Sequence, residues 1–226
     1  MRLEDLNWMD VEEYLNHDDR LMVIIGACEQ HGYLSLLTDV RIPQSLADGA
    51  SKQSGVLIAP PLNFGVSPYF LSYPGTLSLR VETLTRIVED IIRSAAGVGF
   101  RRFLILNGHG GNNGAAAHLV HVANTLPDIQ ISWYSWWESH SVEAVCMKHG
   151  LTMEHGGWGE AFSFTRVTDL PIYPKPSVKI KGMPNATESR QLCGDGMLGG
   201  PYQVDDNIMA DVFQAALDDV LHLLEF

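Results

Sequence analysis

Apolar residues fall into two rhythms along the chain. Short uninterrupted runs occur at Leu21-Met22-Val23-Ile24-Ile25, Val56-Leu57-Ile58-Ala59 and Phe103-Leu104-Ile105-Leu106. Runs of this length, bounded by glycine or proline, are the pattern of strands buried on both faces of a parallel sheet. The first predicts a strand over 21–27 that leads through Gly26 into a loop, and the second is stopped by Pro60-Pro61. Ile129, Ile131 and Trp133 alternate as in a further strand.

The second rhythm is helical. Leu84, Ile87, Val88, Ile91, Ile92 and Ala95 recur at i, i+3, i+4 and i+7, with Gly97 and Gly99 as stop signals. A helix through Ala115 to Leu126 is expected after the third run, capped by Asn112 or Asn113 and ended by Pro127. A closing helix follows from Met209, Phe213, Ala216, Leu217, Val220 and Leu224. The Gly- and Pro-rich segment 171–204 reads as long loops. Strands alternating with helices make βαβ grammar and an α/β fold, and no linker-like stretch divides the 226 residues, so one domain over 1–226 is expected.

Composition narrows the function classes. A formal charge of −12 with no stripe of Lys and Arg repels a phosphate backbone, which argues against nucleic acid as a partner. The apolar runs are too short to cross a bilayer, and the acidic opening Met1-Arg2-Leu3-Glu4-Asp5 lacks the apolar stretch of a secretory signal, so no membrane partner and a cytoplasmic location are expected. Cys28, Cys146 and Cys193 are odd in number and lack CxxC spacing, which reads as reduced thiols. Cys28 adjoins Glu29 but is assigned to the core.

Chemistry-bearing residues gather at strand ends. Glu29-Gln30-His31-Gly32 follows the first run, Asp39 lies eight positions beyond His31, and Asn107-Gly108-His109-Gly110-Gly111-Asn112 ends the third. In an open parallel sheet ligands bind outside the carboxyl ends of the strands. Carboxylates and imidazoles together suit Zn, Mn or Fe. Each residue alone also has an ordinary reading, a solvated carboxylate or a hydrogen-bonded structural histidine. His118 and His121, with no acidic partner nearby in sequence, and His17, His140, His149 and His222 take that reading. Trp133, Trp136, Trp137 and Trp158 are either an apolar wall for a flat substrate or core and interface residues. The cationic stretch Tyr173-Pro174-Lys175-Pro176 with Lys179-Ile180-Lys181 reads as a solvated loop.

Four blocks in register resemble the creatininase family from about residue 5 onward. They are Gly26-x-x-Glu29-Gln30-His31-Gly32 with Asp39, Pro74-Gly75-Thr76-Leu77-Ser78-Leu79, the Asn107 to Asn112 block, and His155-Gly156-Gly157-Trp158-Gly159-Glu160. The resemblance implies a single-domain three-layer α/β/α sandwich with a mostly parallel central sheet. It also implies a binuclear metal-dependent amidohydrolase that cleaves a non-peptide C–N bond, in a cyclic amide or a formamide of a small molecule, by a metal-activated hydroxide.

Carried over by position, Glu29, His31, Asp39 and His109 are expected to ligate two divalent ions, zinc first with manganese or iron as alternatives. Asp39 bridges, and Glu160 is the fifth ligand or a catalytic acid/base. His155 is expected to contact substrate and shuttle protons, and Ser67 and Trp158 to face substrate. A homo-oligomer, in the family's manner a hexamer, is implied as well.

Three positions depart from the family pattern. His31-Gly32-Tyr33-Leu34-Ser35 lacks a second histidine, Phe70 stands where a histidine is usual, and Trp158 where many members have Glu. Gly111 occupies the place of the Glu that creatinine amidohydrolase uses as its fifth ligand. These departures disfavour creatinine as substrate and keep two alternatives, creatinine amidohydrolase proper and a metal-binding oligomeric scaffold without activity.

Overall fold

A computed structural model describes residues 1–226. The chain opens with α1 (Trp8–Leu15), and β1 (Arg20–Ile25) then leads to α2 (Thr38–Ser54). After β2 (Leu57–Ile58) come α3 (Val81–Val98), β3 (Arg102–Asn107), α4 (Ala116–Thr125), β4 (Gln130–Ser135) and α5 (His140–Lys148). The chain closes through α6 (Ala186–Cys193) and α7 (Asp206–Leu223). The strands form one parallel four-stranded sheet in the order β2-β1-β3-β4.

The continuous apolar runs are explained by burial on both faces. Met22, Ile24, Leu104, Leu106 and Tyr134 pack with Ile42, Leu46, Val142, Met209 and Val220 on one side. Leu21, Val23, Phe103 and Ile105 pack with Leu84, Val88, Ile92 and Leu119 on the other, each strand sending alternate residues to opposite faces. The result is a helix–sheet–helix sandwich. No helix is long and apolar enough to cross a membrane.

The register decides where the chemistry sits. Ile25 pairs with Asn107 and Asn107 with Ser135, so β1, β3 and β4 end side by side and their following loops emerge at one edge. Those loops carry Glu29 to His31, Gly108 to Asn112 and Trp136 to Glu138.

Several elements differ from the sequence expectation. The helix after β3 begins at Ala116 behind a 3-10 turn over Gly110–Ala115, and neither Asn112 nor Asn113 caps it. Asn112 is instead fully buried, donating to Gly26 O (3.1 Å) and accepting from Val66 N (3.1 Å), which ties three loops together. The segment 171–204 is mostly loop but contains α6, opened by a capping box between Asn185 and Glu188. Lys175 is no free cation there, since Nζ donates to Asp195 and to the carbonyls of Cys193 and Met197 (2.8 Å for Met197). His118 has an acidic partner from α3, with Nε2 2.7 Å from Glu89. Cys28 is half-buried, its thiol donating to Gly75 O at 3.3 Å, and is not a core residue.

Candidate metal centre

Asp39 stands at the second position of α2, where the exposed N–H groups of the first turn favour a negative charge. Its backbone is held as firmly as its side chain. A Cβ at Gly108 would lie 1.8 Å from Asp39 O, and one at Gly26 2.6 Å from it, so only glycine lets both loops close on the start of this helix. Pro43 has no N–H to offer that carbonyl in the helical manner.

The two oxygens of Asp39 face two different imidazoles. Oδ1 lies 2.9 Å from His31 Nε2, and Oδ2 lies 2.9 Å from His109 Nδ1. Glu160 Oε1 approaches His31 Nε2 at 3.7 Å, and Glu29 Oε2 approaches His109 Nδ1 at 3.4 Å. Two sets of groups able to hold a cation result, Glu29 with Asp39 and His109, and His31 with Asp39 and Glu160. Asp39 belongs to both. A third set, Glu29 with His31 and His155, overlaps them.

Each of these two imidazoles is oriented by a backbone carbonyl. His31 Nδ1 meets Glu29 O at 3.0 Å and His109 Nε2 meets Val66 O at 2.9 Å, which occupies one ring N–H and leaves the other nitrogen's lone pair toward Asp39. His109 Nε2 also lies 3.2 Å from Ser67 Oγ. Asn107 Oδ1 accepts from the backbone N–H of His109 at 3.1 Å and fixes the loop. His31 Nε2 and Asp39 Oδ2 are buried without a hydrogen-bond partner despite their close neighbours. Atoms that converge without bonding to one another are what a shared cation would satisfy, so the donor set fits a metal.

The electrostatics are those of charges pressed together out of water. Burial raises the Glu29 carboxyl to about 7, against the pull of His109. Burial also pushes Asp39 up, but the imidazoles of His31 and His109 outweigh it and hold its carboxyl far below the ordinary range. His109 is raised to about 9, since Asp39 and Glu29 overcome the burial that opposes its protonation. His31 is raised in the same way by Asp39 and Glu160. Glu160 is raised by burial, partly offset by His31. Protons on the imidazoles thus stand in for cations, and ion binding must displace them.

The centre forms part of a pocket of about 530 Å³. Ser67, His155 and Glu160 line it, with Glu29, Asp39 and His109. His155 Nδ1 lies 3.9 Å from Glu29 Oε2, and its ring stacks on Phe70 with centroids 4.6 Å apart. Burial, reinforced by His31, holds His155 well below the ordinary imidazole range. Trp136 and Trp137 line the pocket. Trp158 does not. Its ring is fully buried in the core and Nε1 donates to Thr152 O at 2.8 Å, because the 3-10 turn over Trp158–Glu160 sends Trp158 inward while Glu160 reaches toward His31. The substrate-facing role expected for Trp158 is therefore corrected to a packing role.

Residues that sequence reasoning left without a role also shape the site. Gln30 sits between Glu29 and His31 in sequence, and its Nε2 lies 2.9 Å from His155 Nε2 while its carbonyl lies 3.0 Å from the same atom. Gly32 N–H donates to Gln30 Oε1 at 3.0 Å and fixes the amide's orientation. Glu154, Met153 and Ser189 line the pocket with no sequence signal beyond, for the first two, nearness to His155.

The creatininase family model, described as creatinine amidohydrolase, matches residues 4–224. Creatinine amidohydrolase of Pseudomonas putida is 31% identical over 189 residues, covering 75% of this chain and 71% of that protein. The mycofactocin precursor peptide peptidase of Mycobacterium tuberculosis is 36% identical over 111 residues, 44% of each chain. A creatininase structure in its Mn form superposes with a TM-score of 0.81 at 22% identity, over 99% of this chain and 96% of that one. A creatininase variant of Zn–Zn type gives 0.81 at 23% identity with the same coverage. At such identities the structural likeness speaks for the fold.

Proposed function

The chain belongs to the creatininase family and is a metal-dependent amidohydrolase acting on a non-peptide C–N bond, and we propose that it works with two divalent ions sharing Asp39. Glu29, Asp39 and His109 hold one ion in this reading, and His31, Asp39 and Glu160 the other. Zinc is the first choice, with manganese next, since related creatininases take Zn–Zn and Mn forms. Ions bound there lower the pKa of water from about 15.7 to near 7 and polarise a carbonyl.

The chain's own residues do the rest. His155, whose charged form burial and His31 disfavour, is placed to take a proton from the attacking water and pass it to the leaving nitrogen. Gln30 brackets His155 Nε2 with a donor and an acceptor, which holds the ring in both protonation states. Phe70 keeps its plane fixed and shelters it from water. Ser67, beside His109, faces the space where the amide would lie.

A small-molecule cyclic amide or formamide fits a pocket of this size, and creatinine itself stays in the set because of the P. putida relative. Gly111 bears on that choice. A Cβ there would lie 1.9 Å from Val66 O and 2.7 Å from His109 Nε2, so no acidic side chain fits and Glu160 supplies the remaining carboxylate. One domain over 1–226, and association of copies into a ring, belong to the same proposal.

The observation that carries this reading is one buried carboxylate whose two oxygens each lie 2.9 Å from a different imidazole. The test is metal content and hydrolysis of creatinine, formamides and lactams by wild type, Glu29→Gln and His109→Ala. About two ions per chain in wild type, with loss of metal and turnover in both variants, is expected. Full occupancy and undiminished hydrolysis in the variants would refute the assignment.

A further inference from the structure

Lys175 lies in the loop-rich segment 171–204, where a solvated ammonium would be ordinary, yet its side chain is only 17% exposed. Nζ donates to Asp195 and to the carbonyls of Cys193 and Met197, so its three N–H groups meet three acceptors. Its main chain pairs with Gly200 in both directions, N to O at 2.9 Å and O to N at 2.8 Å. Lys175 thus closes the turn 193–200 twice, with its ammonium and with its backbone. Asp195 Oδ2 accepts in addition from the Tyr202 hydroxyl at 2.6 Å. Burial pushes the Asp195 carboxyl up, but the bonds from Lys175 and Tyr202 outweigh it and hold it below the usual carboxylate range.

The turn so held touches the surroundings of His155 at two points. Gly196 O accepts from Gln30 Nε2 at 3.0 Å, and the Leu198 N–H donates to His155 O at 3.0 Å. The same Gln30 Nε2 lies 2.9 Å from His155 Nε2, while Gln30 Oε1 accepts from the Gly32 N–H. A side-chain amide offers two N–H donors in one plane. With one bonded to Gly196 O and Oε1 fixed by Gly32, the other is aimed at the imidazole. Gly196 approaches this amide at a φ of +100°, and a Cβ there would lie 1.7 Å from Gln30 Oε1. A displacement of residues 193–198 therefore reaches His155 by two routes, through the Gln30 amide and through the main chain of His155 itself.

We propose that Lys175 and Asp195 form an ionic brace that positions His155 for proton transfer, acting through the 193–198 turn and Gln30. Both are positioning residues, since neither lines the pocket and neither belongs to a ligand set. The part of His155 in the reaction comes from the function proposed above, whereas the bonds of the brace stand without it. Removing the ammonium leaves a carboxylate and two carbonyls without their shared donor, so the turn rearranges to find others.

The test compares zinc-loaded wild type, Lys175→Met and Tyr202→Phe, each also in a His155→Ala background, on creatinine, formamides and lactams. Zinc content and melting temperature are recorded, and the rate at which diethyl pyrocarbonate modifies His155 is followed by peptide mass spectrometry. Lys175→Met is expected to lower kcat about 10- to 100-fold, with KM within about three-fold and zinc content unchanged. In the His155→Ala background the same substitution should change kcat by no more than about two-fold, because the group it serves is gone. Modification of His155 should quicken at least about five-fold in Lys175→Met, as the ring is released. Tyr202→Phe, which removes one bond to Asp195, should repeat the pattern with a loss of about two- to five-fold in kcat and serves where Lys175→Met folds poorly. Equal losses of kcat with and without the His155 imidazole, a lower melting temperature with kcat and modification rate unchanged, or loss of zinc in step with kcat would overturn the proposal. Where His155→Ala leaves no measurable turnover, or wild type hydrolyses none of the probes, the modification rate alone decides the brace. The second of those results would also sink the hydrolytic reading.

Discussion

At its floor the pocket is lined by side chains from the loops after β1 and β3 and from the first turn of α2, joined by His155 and Glu160, whereas its wall includes Trp136, Trp137, Ile180, Pro184 and Leu198. The floor is determined several times over. Asp39 is fixed by its oxygens, by two glycines against its carbonyl and by a helix N-terminus, and both imidazoles are pinned by backbone carbonyls. The wall contains aromatic and aliphatic faces and a helix of eight residues, with none of the convergent charged groups of the floor. Rigid placement serves a reaction that tolerates little displacement of its reacting groups, while a largely apolar wall can vary in shape without disturbing them.

Substitutions at the floor should cost far more than those at the wall. Asp39→Asn removes the group shared by both ligand sets and is expected to lose both ions and at least about 1000-fold in kcat/KM, measured by metal analysis and kinetics. Retention of one tightly held ion with measurable turnover would show that the sets are independent. Gly108→Ala forces a Cβ to within 1.8 Å of Asp39 O, so the start of α2 must shift. Loss of about 2–4 kcal/mol in denaturant unfolding, together with weakened metal binding, is the expected outcome.

The metal-free floor also predicts a pH dependence. His109 has its pKa raised from 6.5 to about 9, so its contribution to stability is full below about 6.5 and is lost as pH rises through about 9. Glu29, raised from 4.5 to about 7, contributes in the same sense and is lost as pH rises through about 7. The melting temperature of metal-free protein should fall by several degrees between about pH 6 and pH 9.5. Zinc should reverse the trend, because higher pH removes the protons that compete with it. A flat profile without metal would contradict the charge arrangement described.

The smallest effects separate wall from core. Trp137→Ala should raise KM about ten-fold with metal content intact, since Trp137 lines the pocket. Trp158→Phe removes the bond to Thr152 O and leaves a cavity in the core, costing about 2–4 kcal/mol of stability, and should leave kcat/KM within about two-fold. A large KM effect at Trp158 with an unchanged melting temperature would reverse that assignment.

The contrast between floor and wall matches what could be read from the chain. β1, β3, α3 and α7 are announced by apolar runs or helical spacing, and the floor hangs on strand ends, so Glu29, His31, Asp39 and His109 were legible as a group. α2 was not. Its exposed face is polar and Pro43 lies inside it, a residue that in sequence argues against a helix, although Val40, Ile42, Leu46, Ala47 and Ala50 are buried along one side, so Asp39 was visible as a candidate before the helix that presents it. Trp158 shows why motif adjacency misleads, because two positions separate it from Glu160 and a 3-10 turn sends the two side chains apart. Lys175 reads as a solvated cation, since the acceptors that consume its ammonium lie 18 to 22 positions further on and meet it only once the loop has closed. The pairing of His118 with Glu89, 29 positions away on another helix, was hidden for the same reason.

The central claim is that a single carboxylate joins two ions. Zinc-loaded crystals measured on both sides of the zinc absorption edge test it directly. The expected result is two anomalous peaks, one beside Oδ1 and the other beside Oδ2 of Asp39, each accompanied by one of the imidazoles of His31 and His109. A single peak away from Asp39, at full zinc loading, would contradict the account.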